Sequence, residues 1–131
     1  MSDYKGFNVE QYFYPKDNTS GCTKEACDFR NDYSIYKNHG IVILGVSPDS
    51  VKSHAEFSGK LDLPFTLLSD TDKIVLKLYG AWGKKSMYGW DYMDLIRKTV
   101  LIDKNGIIQK IFPKVKVNGH SKEVIAYFGI K

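Results

Sequence analysis

The chain has 131 residues, 43% of them hydrophobic and 14% aromatic, which is enough apolar material for one globular domain with its own core. Its formal net charge of +4 is mild and its lysines form no dense run, so the composition does not indicate a nucleic-acid-binding surface. It shows neither a signal-peptide pattern nor an apolar segment of membrane length. Two cysteines in such a chain favour a cytoplasmic protein whose thiols react rather than form a structural disulfide.

The first predicted strand runs from Val9 to Tyr14, a stretch of mostly large apolar and aromatic residues. It stops at Pro15, which cannot continue a sheet ladder. A cluster of turn and cap residues follows from Asp17 to Gly21. The next stretch, Thr23 to Tyr36, contains no glycine or proline and predicts one helix. The sequence therefore begins with a strand, a loop and a helix.

Both cysteines lie where this loop meets this helix. Cys22 is at the helix start, where free backbone N–H groups and the positive end of the dipole favour a thiolate. Cys27 follows five residues later, and two such residues on an α-helix point about 140° apart with Cα atoms roughly 8–9 Å apart. A disulfide needs Cα atoms within about 7 Å, so pairing these two would require the first turns to unwind. With reduced thiols, we expect residues from about Thr23 to Arg30 to be helical.

The rest of the chain alternates strands and helices, which is typical of an α/β layered fold. The predicted strands cover 41–46 and 65–68, and a hairpin covers 99–112 around Asn105-Gly106. The predicted helices cover 51–61, after a turn and cap over 48–50, then 73–79 and 123–128. The helix over 73–79 is expected to face inward with Ile74, Val75, Leu76 and Leu78. The segment 81–96 reads as a loop packed on the core by its aromatic residues, and Trp82, Tyr88 and Trp90 could also line a binding surface.

The three histidines give no indication of a metal site. His39, His54 and His120 are scattered and follow no metal-ligand spacing, so they are predicted to be surface or capping residues. The two cysteines have no histidine pair near them, so no zinc site is expected.

The pattern Pro15-x3-Thr19-x2-Cys22 resembles the active-site signature of the peroxiredoxins, and the surrounding YFYPKDNTSGCTKEACDFR is similar to their bacterioferritin-comigratory-protein or peroxiredoxin Q subfamily. The resemblance continues along the chain through Gly45-Val46-Ser47, Pro64-Phe65, Tyr79-Gly80, Arg97 to Asp103 with Gly106, and Val115-Lys116-x3-His120. It implies a thioredoxin-like, three-layer α/β fold with a central mixed sheet flanked by helices, formed by residues 1–131 as a single domain.

The resemblance implies a thiol peroxidase that reduces hydrogen peroxide or alkyl hydroperoxides without a cofactor. Cys22 would be the peroxidatic nucleophile and would become a sulfenic acid. Thr19 would orient the peroxide, Pro15 would shield the pocket from water, and Arg97 would hold the thiolate and polarise the leaving oxygen. Glu25, near the helix start, either orients Arg97 through an ion pair or complements the helix dipole.

Cys27 would be the resolving residue, forming a disulfide with Cys22 that an external dithiol such as thioredoxin reduces. Two other functions remain open: a general thiol–disulfide oxidoreductase, against which the lack of a C-x-x-C spacing counts, and a redox sensor in which oxidation of Cys22 reshapes the helix for a partner.

The chain differs from the subfamily pattern in two places. The resemblance implies a further N-terminal strand pair before Met1 and a proline where Ser20 stands. A monomer is expected, and a dimer through an uncovered sheet edge is the alternative. Neither nucleic acid nor a membrane is expected as a partner.

Overall fold

The computed structural model describes residues 4–87 and 89–129, and within them the chain forms seven strands and five helices. In chain order they are β1 (Asn8–Phe13), α1 (Ser20–Asn31), α2 (Tyr33–Asn38), β2 (Ile41–Ser47), α3 (Val51–Leu61), β3 (Thr66–Ser69), α4 (Ile74–Leu78), β4 (Trp82–Met87), β5 (Trp90–Leu95), β6 (Lys98–Ile102), β7 (Ile108–Phe112) and α5 (His120–Tyr127).

A mixed five-stranded sheet with the order β3-β2-β1-β6-β7 forms the centre of the molecule. β1 pairs in parallel with β2 and β2 with β3, whereas β6 runs antiparallel to both β1 and β7. Val9 of β1 therefore lies between Val42 and Ile102. β1 is the middle strand, so the loop that follows it leaves the sheet at the centre of the end formed by the strand termini. The predicted central mixed sheet is confirmed.

The three central strands β2, β1 and β6 are buried on both faces, whereas β3 and β7 at the two sides of the sheet are mostly exposed. Side chains alternate between the two faces along each strand. Tyr12 and Tyr14 pack on one face with Phe29 of α1, while Val9 and Phe13 pack on the other face with Leu76 of α4. The apolar core consequently forms two layers, one on each side of the sheet.

Local capping signals place two elements where the sequence predicts them. α3 spans Val51–Leu61 as expected, because the Ser50 hydroxyl accepts a hydrogen bond from the Ser53 N–H at its start. The β6–β7 hairpin also forms as predicted, and Gly106 takes the left-handed conformation at φ +81° that its turn needs.

The single helix predicted from Thr23 to Tyr36 is wrong, because the chain breaks at Asp32 into α1 and α2. The Asp32 carboxylate accepts hydrogen bonds from Ser121 Oγ at 2.7 Å and Lys122 Nζ at 2.9 Å, both on α5. This long-range contact holds Asp32 where the helix bends, and no local glycine or proline marks it.

The loop predicted over 81–96 is also wrong, since most of this segment forms the β4–β5 hairpin. Met87 pairs with Trp90, and a cross-strand ion pair joins Lys84 Nζ to Asp91 Oδ2 at 2.9 Å. Trp90 is 79% exposed, and Trp82 is partly buried against the core. Tyr88 lies outside the described residues.

The inward face predicted for the fourth helix is half wrong. Leu76 is fully buried and Val75 packs against the core, but Ile74 and Leu78 are exposed. The two exposed residues are four apart, so they share the outer face of this short helix.

Candidate active site

Cys22 is the third residue of α1, which confirms its predicted place at the helix start. Its side chain is buried, with 1% of its surface exposed, against the core of Tyr14 and Phe29. The first-turn N–H groups of a helix have no acceptor within the helix, and Thr19 at the N-cap supplies no side-chain hydrogen bond to them. The thiol therefore lies in the positive field of a helix end that no side chain has neutralised.

Arg97 reaches this thiol from the residue immediately before β6. Its Nη2 donates to Cys22 Sγ at 3.0 Å and its Nη1 donates to Glu25 Oε1 at 2.7 Å. The backbone oxygen of Arg97 accepts from the Val115 N–H at 3.0 Å, which fixes the base of the side chain. One planar guanidinium thus bridges the thiol and a carboxylate through two of its nitrogens.

Glu25 lies one turn beyond the helix start and is 2% exposed, so it does not complement the dipole in the first turn. Of the two predicted roles, the ion pair with Arg97 is the one that the structure contains. Burial raises the pKa of Glu25 to about 7, and the charge and hydrogen bond of Arg97 act in the opposite direction. The ion pair with Arg97 therefore opposes the burial, which favours the neutral acid.

Gly21 makes room for the guanidinium. A Cβ atom at this position would lie 3.0 Å from Arg97 Nη2, closer than a side chain normally packs. The absence of a side chain at Gly21 therefore permits the close approach of Arg97 to the Cys22 thiol.

Thr19 and Pro15 lie in the loop that leads from β1 into α1. Thr19 is exposed, and its hydroxyl donates to the Lys16 carbonyl at 2.9 Å, so its oxygen keeps lone pairs for accepting a further hydrogen bond. Pro15 is half-buried and follows Tyr14, whose N–H donates to the Val46 carbonyl. The loop thus brings both predicted residues to the same end of the sheet as Cys22.

Cys27 is half-buried on the same helix as Cys22, and both thiols are free. The helix is continuous from Ser20 to Asn31, as predicted for the reduced state. A separation of five helical residues keeps their Cα atoms roughly 8–9 Å apart, beyond the limit of about 7 Å for a disulfide. A bond between them would require α1 to unwind.

The prediction that the three histidines are surface or capping residues is wrong for His54 and His120, since the N-caps of their helices are Ser50 and Gly119. His39 is exposed, but His54 and His120 are 4% and 2% exposed. His54 shares the inner face of α3 with Phe57 and Leu61, a spacing of three and seven residues that was readable in the sequence. His120 Nε2 lies 2.8 Å from Oγ1 of Thr99, a residue of β6.

Asp17, in the loop between β1 and α1, forms a second polar cluster with Asp49 and His54. Among residues 4–87 and 89–129 it is the one group of three such side chains with ligand atoms close enough to hold a metal, all within 4.8 Å of one another. Both nitrogens of His54 already have hydrogen-bond partners, Asp17 Oδ2 at 2.8 Å and the Leu68 carbonyl at 3.0 Å. The cluster is therefore built as a hydrogen-bonded network.

Glu10 is an unpaired acid in the middle of β1. Neither of its carboxyl oxygens has a hydrogen-bond partner in the part of the chain that the structure describes, and the side chain is fully buried. Burial, and to a lesser extent the charge of Glu25, raises the pKa of Glu10 well above its usual range. We therefore expect Glu10 to remain protonated in the folded protein at neutral pH.

Replacing Glu10 with leucine should stabilise the protein at pH 7, by about 1–3 kcal/mol for a buried polar group without a partner. The unfolded chain releases this proton above about pH 4.3, whereas the folded protein keeps it, so the free energy of unfolding falls as the pH rises through that range. Urea unfolding at pH 5 and pH 8 measures the effect, and the gain from Glu10→Leu should be larger at pH 8.

The matched control is Glu56→Leu, at an exposed position on α3. Glu10→Gln should remove the pH dependence but retain an unpaired polar group, so it should stabilise less than leucine. A gain from Glu10→Leu that is the same at both pH values would contradict a buried neutral acid.

The fold and the site together define a class of protein: a thioredoxin-like sheet with one buried cysteine at a helix start, held by an arginine. Residues 1–111 match the AhpC/TSA family. The chain is 51% identical over 125 residues to the putative peroxiredoxin Bcp of Coxiella burnetii, covering 95% of this chain and 83% of that one. It is 46% identical over 125 residues to the peroxiredoxin Bcp of Bacillus subtilis, covering 95% and 80%.

A solved structure gives the same result. The bacterioferritin comigratory protein of Xanthomonas campestris, from work on its alkyl peroxide reduction activity, superposes with a TM-score of 0.93 at 38% identity over 98% of this chain and 82% of that one. The chain therefore belongs to the AhpC/TSA family, among the peroxiredoxins of the Bcp or Q type. As such it is a thiol-dependent peroxidase, and the predicted fold is confirmed.

Proposed function

We propose that Cys22 is the peroxidatic nucleophile that reduces hydrogen peroxide and organic hydroperoxides. The thiolate attacks the terminal oxygen of the peroxide, so an S–O bond forms as the O–O bond breaks. The hydroxyl stays on sulfur as a sulfenic acid, and the departing alkoxide takes one proton from solvent to become an alcohol or water. The observation that carries this assignment is the hydrogen bond of 3.0 Å from Arg97 to Cys22 Sγ.

Arg97, Thr19 and Pro15 would assist this step in different ways. The guanidinium stabilises the thiolate before the reaction and the developing negative charge on the leaving oxygen during it. The Thr19 oxygen would accept a hydrogen bond from the peroxide, and Pro15 would limit the access of water. Glu25, through its bond of 2.7 Å, would hold Arg97 in place.

We assign Cys27 as the resolving cysteine. Its thiol would attack the Cys22 sulfenic acid, forming the S–S bond and releasing water, and thioredoxin or a similar dithiol would then reduce the disulfide. The two cysteines share one helix, so this step is coupled to the unwinding of the first turns of α1. The reaction as proposed needs no cofactor other than these thiols.

The cell compartment and the assembly of the protein are part of the same proposal. No helix among the described residues has the length and apolar character needed to cross a membrane. We infer a cytoplasmic enzyme, acting as a monomer of one domain, with a peroxide and a dithiol protein as its partners and with neither nucleic acid nor a membrane.

Consumption of peroxide in the presence of thioredoxin, thioredoxin reductase and NADPH tests the proposal. Repeated turnover supports a peroxidase. A single equivalent of peroxide consumed without turnover would instead favour a redox sensor, and reduction of insulin disulfides without peroxide consumption would favour a general oxidoreductase.

Changing Cys27 to serine should separate the two half-reactions. The variant should consume about one equivalent of peroxide and then stop with thioredoxin, because no disulfide forms for it to reduce, whereas dithiothreitol should restore turnover. Rapid-mixing measurements should show the first oxidation within about threefold of the wild-type rate. Ser58→Ala on α3 provides a control that leaves both thiols in place. Full turnover of Cys27→Ser with thioredoxin would contradict a resolving role.

A further inference from the structure

Asp17 anchors the loop between β1 and α1, residues 14–19, in the protein interior. This residue is 4% exposed, although it lies in a loop rich in turn residues. Its Oδ1 accepts from the Tyr14 hydroxyl at 2.6 Å, and its Oδ2 accepts from Ser53 Oγ at 2.7 Å and from His54 Nδ1 at 2.8 Å. Three donors thus converge on one carboxylate, one from the residue after β1 and two from α3.

The hydrogen-bond partners of His54 define its charge. A backbone carbonyl can only accept, so His54 Nε2 must carry a proton to bind the Leu68 oxygen at 3.0 Å. An ionised Asp17 also only accepts, so Nδ1 must carry a second proton. With both bonds made, the ring is an imidazolium that joins the loop to α3 and β3.

The titratable groups that face His54 agree with this charge. They are Tyr14 directly after β1, Asp17 from the loop and Asp49 from the turn before α3. Burial alone would lower the pKa of His54, but the hydrogen bond and charge of Asp17 outweigh it, and the pKa is raised. For Asp17, burial raises the pKa, and the hydrogen bonds from His54, Tyr14 and Ser53 more than compensate.

A second anchor holds the backbone of the same loop. The Asp17 N–H donates to Asp49 Oδ2 at 2.8 Å, and that oxygen also accepts from Ser47 Oγ at 2.7 Å. Asn18 then takes a left-handed conformation at φ 64°, directly before Thr19. The loop is thus fixed two residues before Thr19 and five before Cys22.

We propose that His54 is a positioning residue for peroxide reduction, whose imidazolium, bound between Asp17 and the Leu68 carbonyl, fixes the loop that presents Pro15 and Thr19 to the substrate at Cys22. The inference rests on the proposed function of Cys22. His54 acts through Asp17 and does not touch the reacting atoms. A neutral His54 would donate only one hydrogen bond, so either Asp17 or the Leu68 carbonyl would lose its donor. The loop would then be held less firmly.

The test compares His54→Gln and His54→Asn with the exposed control His39→Gln. The second-order rate constant with peroxide should fall by roughly 10–100-fold in His54→Gln, since a displacement of about 1 Å can cost about 10²-fold. His54→Asn, which keeps a donor near the Nδ1 position, should recover part of the rate. The wild-type rate should decline as the pH rises through the raised pKa of His54, and both variants should lack this decline. Equal rates in His54→Gln and wild type, with the same alkaline decline, would overturn the proposal.

Two measurements on the unmodified protein separate this inference from the assignment of Cys22. The ring nitrogens of His54 should give the NMR signature of an imidazolium at pH 7, and a neutral ring would overturn the proposal. Amide hydrogen exchange at residues 16–20 should accelerate, beyond the intrinsic rate, as that signal titrates, and protection that does not change would also overturn it. A wild-type protein that consumes no peroxide would instead refute the proposed function, whatever these two measurements show.

Discussion

Replacing Cys22 with serine is expected to lower the rate of peroxide reduction by at least about 10⁴-fold, the scale seen when an enzyme loses its nucleophile. A hydroxyl does not ionise near neutral pH, so serine offers Arg97 an oxygen but no anion to attack the peroxide. The two side chains are nearly the same size, and the site is buried at 1% exposure, so the fold and the Arg97–Glu25 pair should persist. The measurement is peroxide consumption with either thioredoxin or dithiothreitol as the reductant.

Cys27→Ser is the matched control, because it removes a thiol from the same helix and retains Cys22. A reagent specific for sulfenic acid should label Cys27→Ser strongly after one equivalent of peroxide. It should label wild type only weakly, because the disulfide consumes the sulfenic acid, and it should not label Cys22→Ser. Labelling of Cys27 in the Cys22→Ser protein at the rate seen for Cys27→Ser would mean that the roles of the two cysteines are reversed.

Replacing Arg97 with lysine should reduce the second-order rate constant with peroxide by about 10²–10³-fold, the range for removal of one donor to a developing oxyanion. Arginine uses two nitrogens for two acceptors, Cys22 Sγ at 3.0 Å and Glu25 Oε1 at 2.7 Å. A lysine ammonium keeps the positive charge but offers one nitrogen in place of the two that the planar fork presents. We expect it to bind the buried carboxylate and leave the thiolate without its donor. Alkylation of Cys22 by iodoacetamide at pH 7 should therefore slow as well.

The control for this change is Arg30→Lys at the other end of α1, where Nη1 donates to the Leu61 carbonyl at 2.8 Å. The same substitution there should leave the peroxide rate within about twofold, because it touches no reacting atom. Wild-type kinetics in Arg97→Lys, at unchanged thermal stability, would show that charge alone is sufficient and that the bridging geometry has no role.

The sequence predicts the site better than it predicts the architecture around it. The cysteine, the threonine and the helix start lie within a few residues of each other, so local rules about caps and dipoles place Cys22 correctly. Arg97 is 75 residues away from Cys22, and no periodicity joins the two. Its place in the site depended on the resemblance to the peroxiredoxins, and the structure supplies the contact.

The errors arise where distant contacts override local patterns. Asp32 ends α1 because it binds α5, 89 residues further along the chain. The sequence around Gly89 favours a loop because its glycines and aromatic residues obscure two strands of equal length. Asp17 reads as a turn residue and His54 as a surface or capping residue, but the two side chains hydrogen-bond to each other in the interior.

The two aspartates that flank the reactive helix restrict where the chain can rearrange. Asp17 is pinned to α3 and to the turn before it, and Asp32 is pinned to α5, so the chain from Asn18 to Asn31 is tethered at both ends. If disulfide formation unwinds the start of α1 as proposed, the released segment would be a short closed loop with far fewer accessible conformations than a free end. The segment would then gain little entropy on opening, so reduction of the proposed disulfide should quickly return the Cys22 thiol to Arg97, ready for the next peroxide.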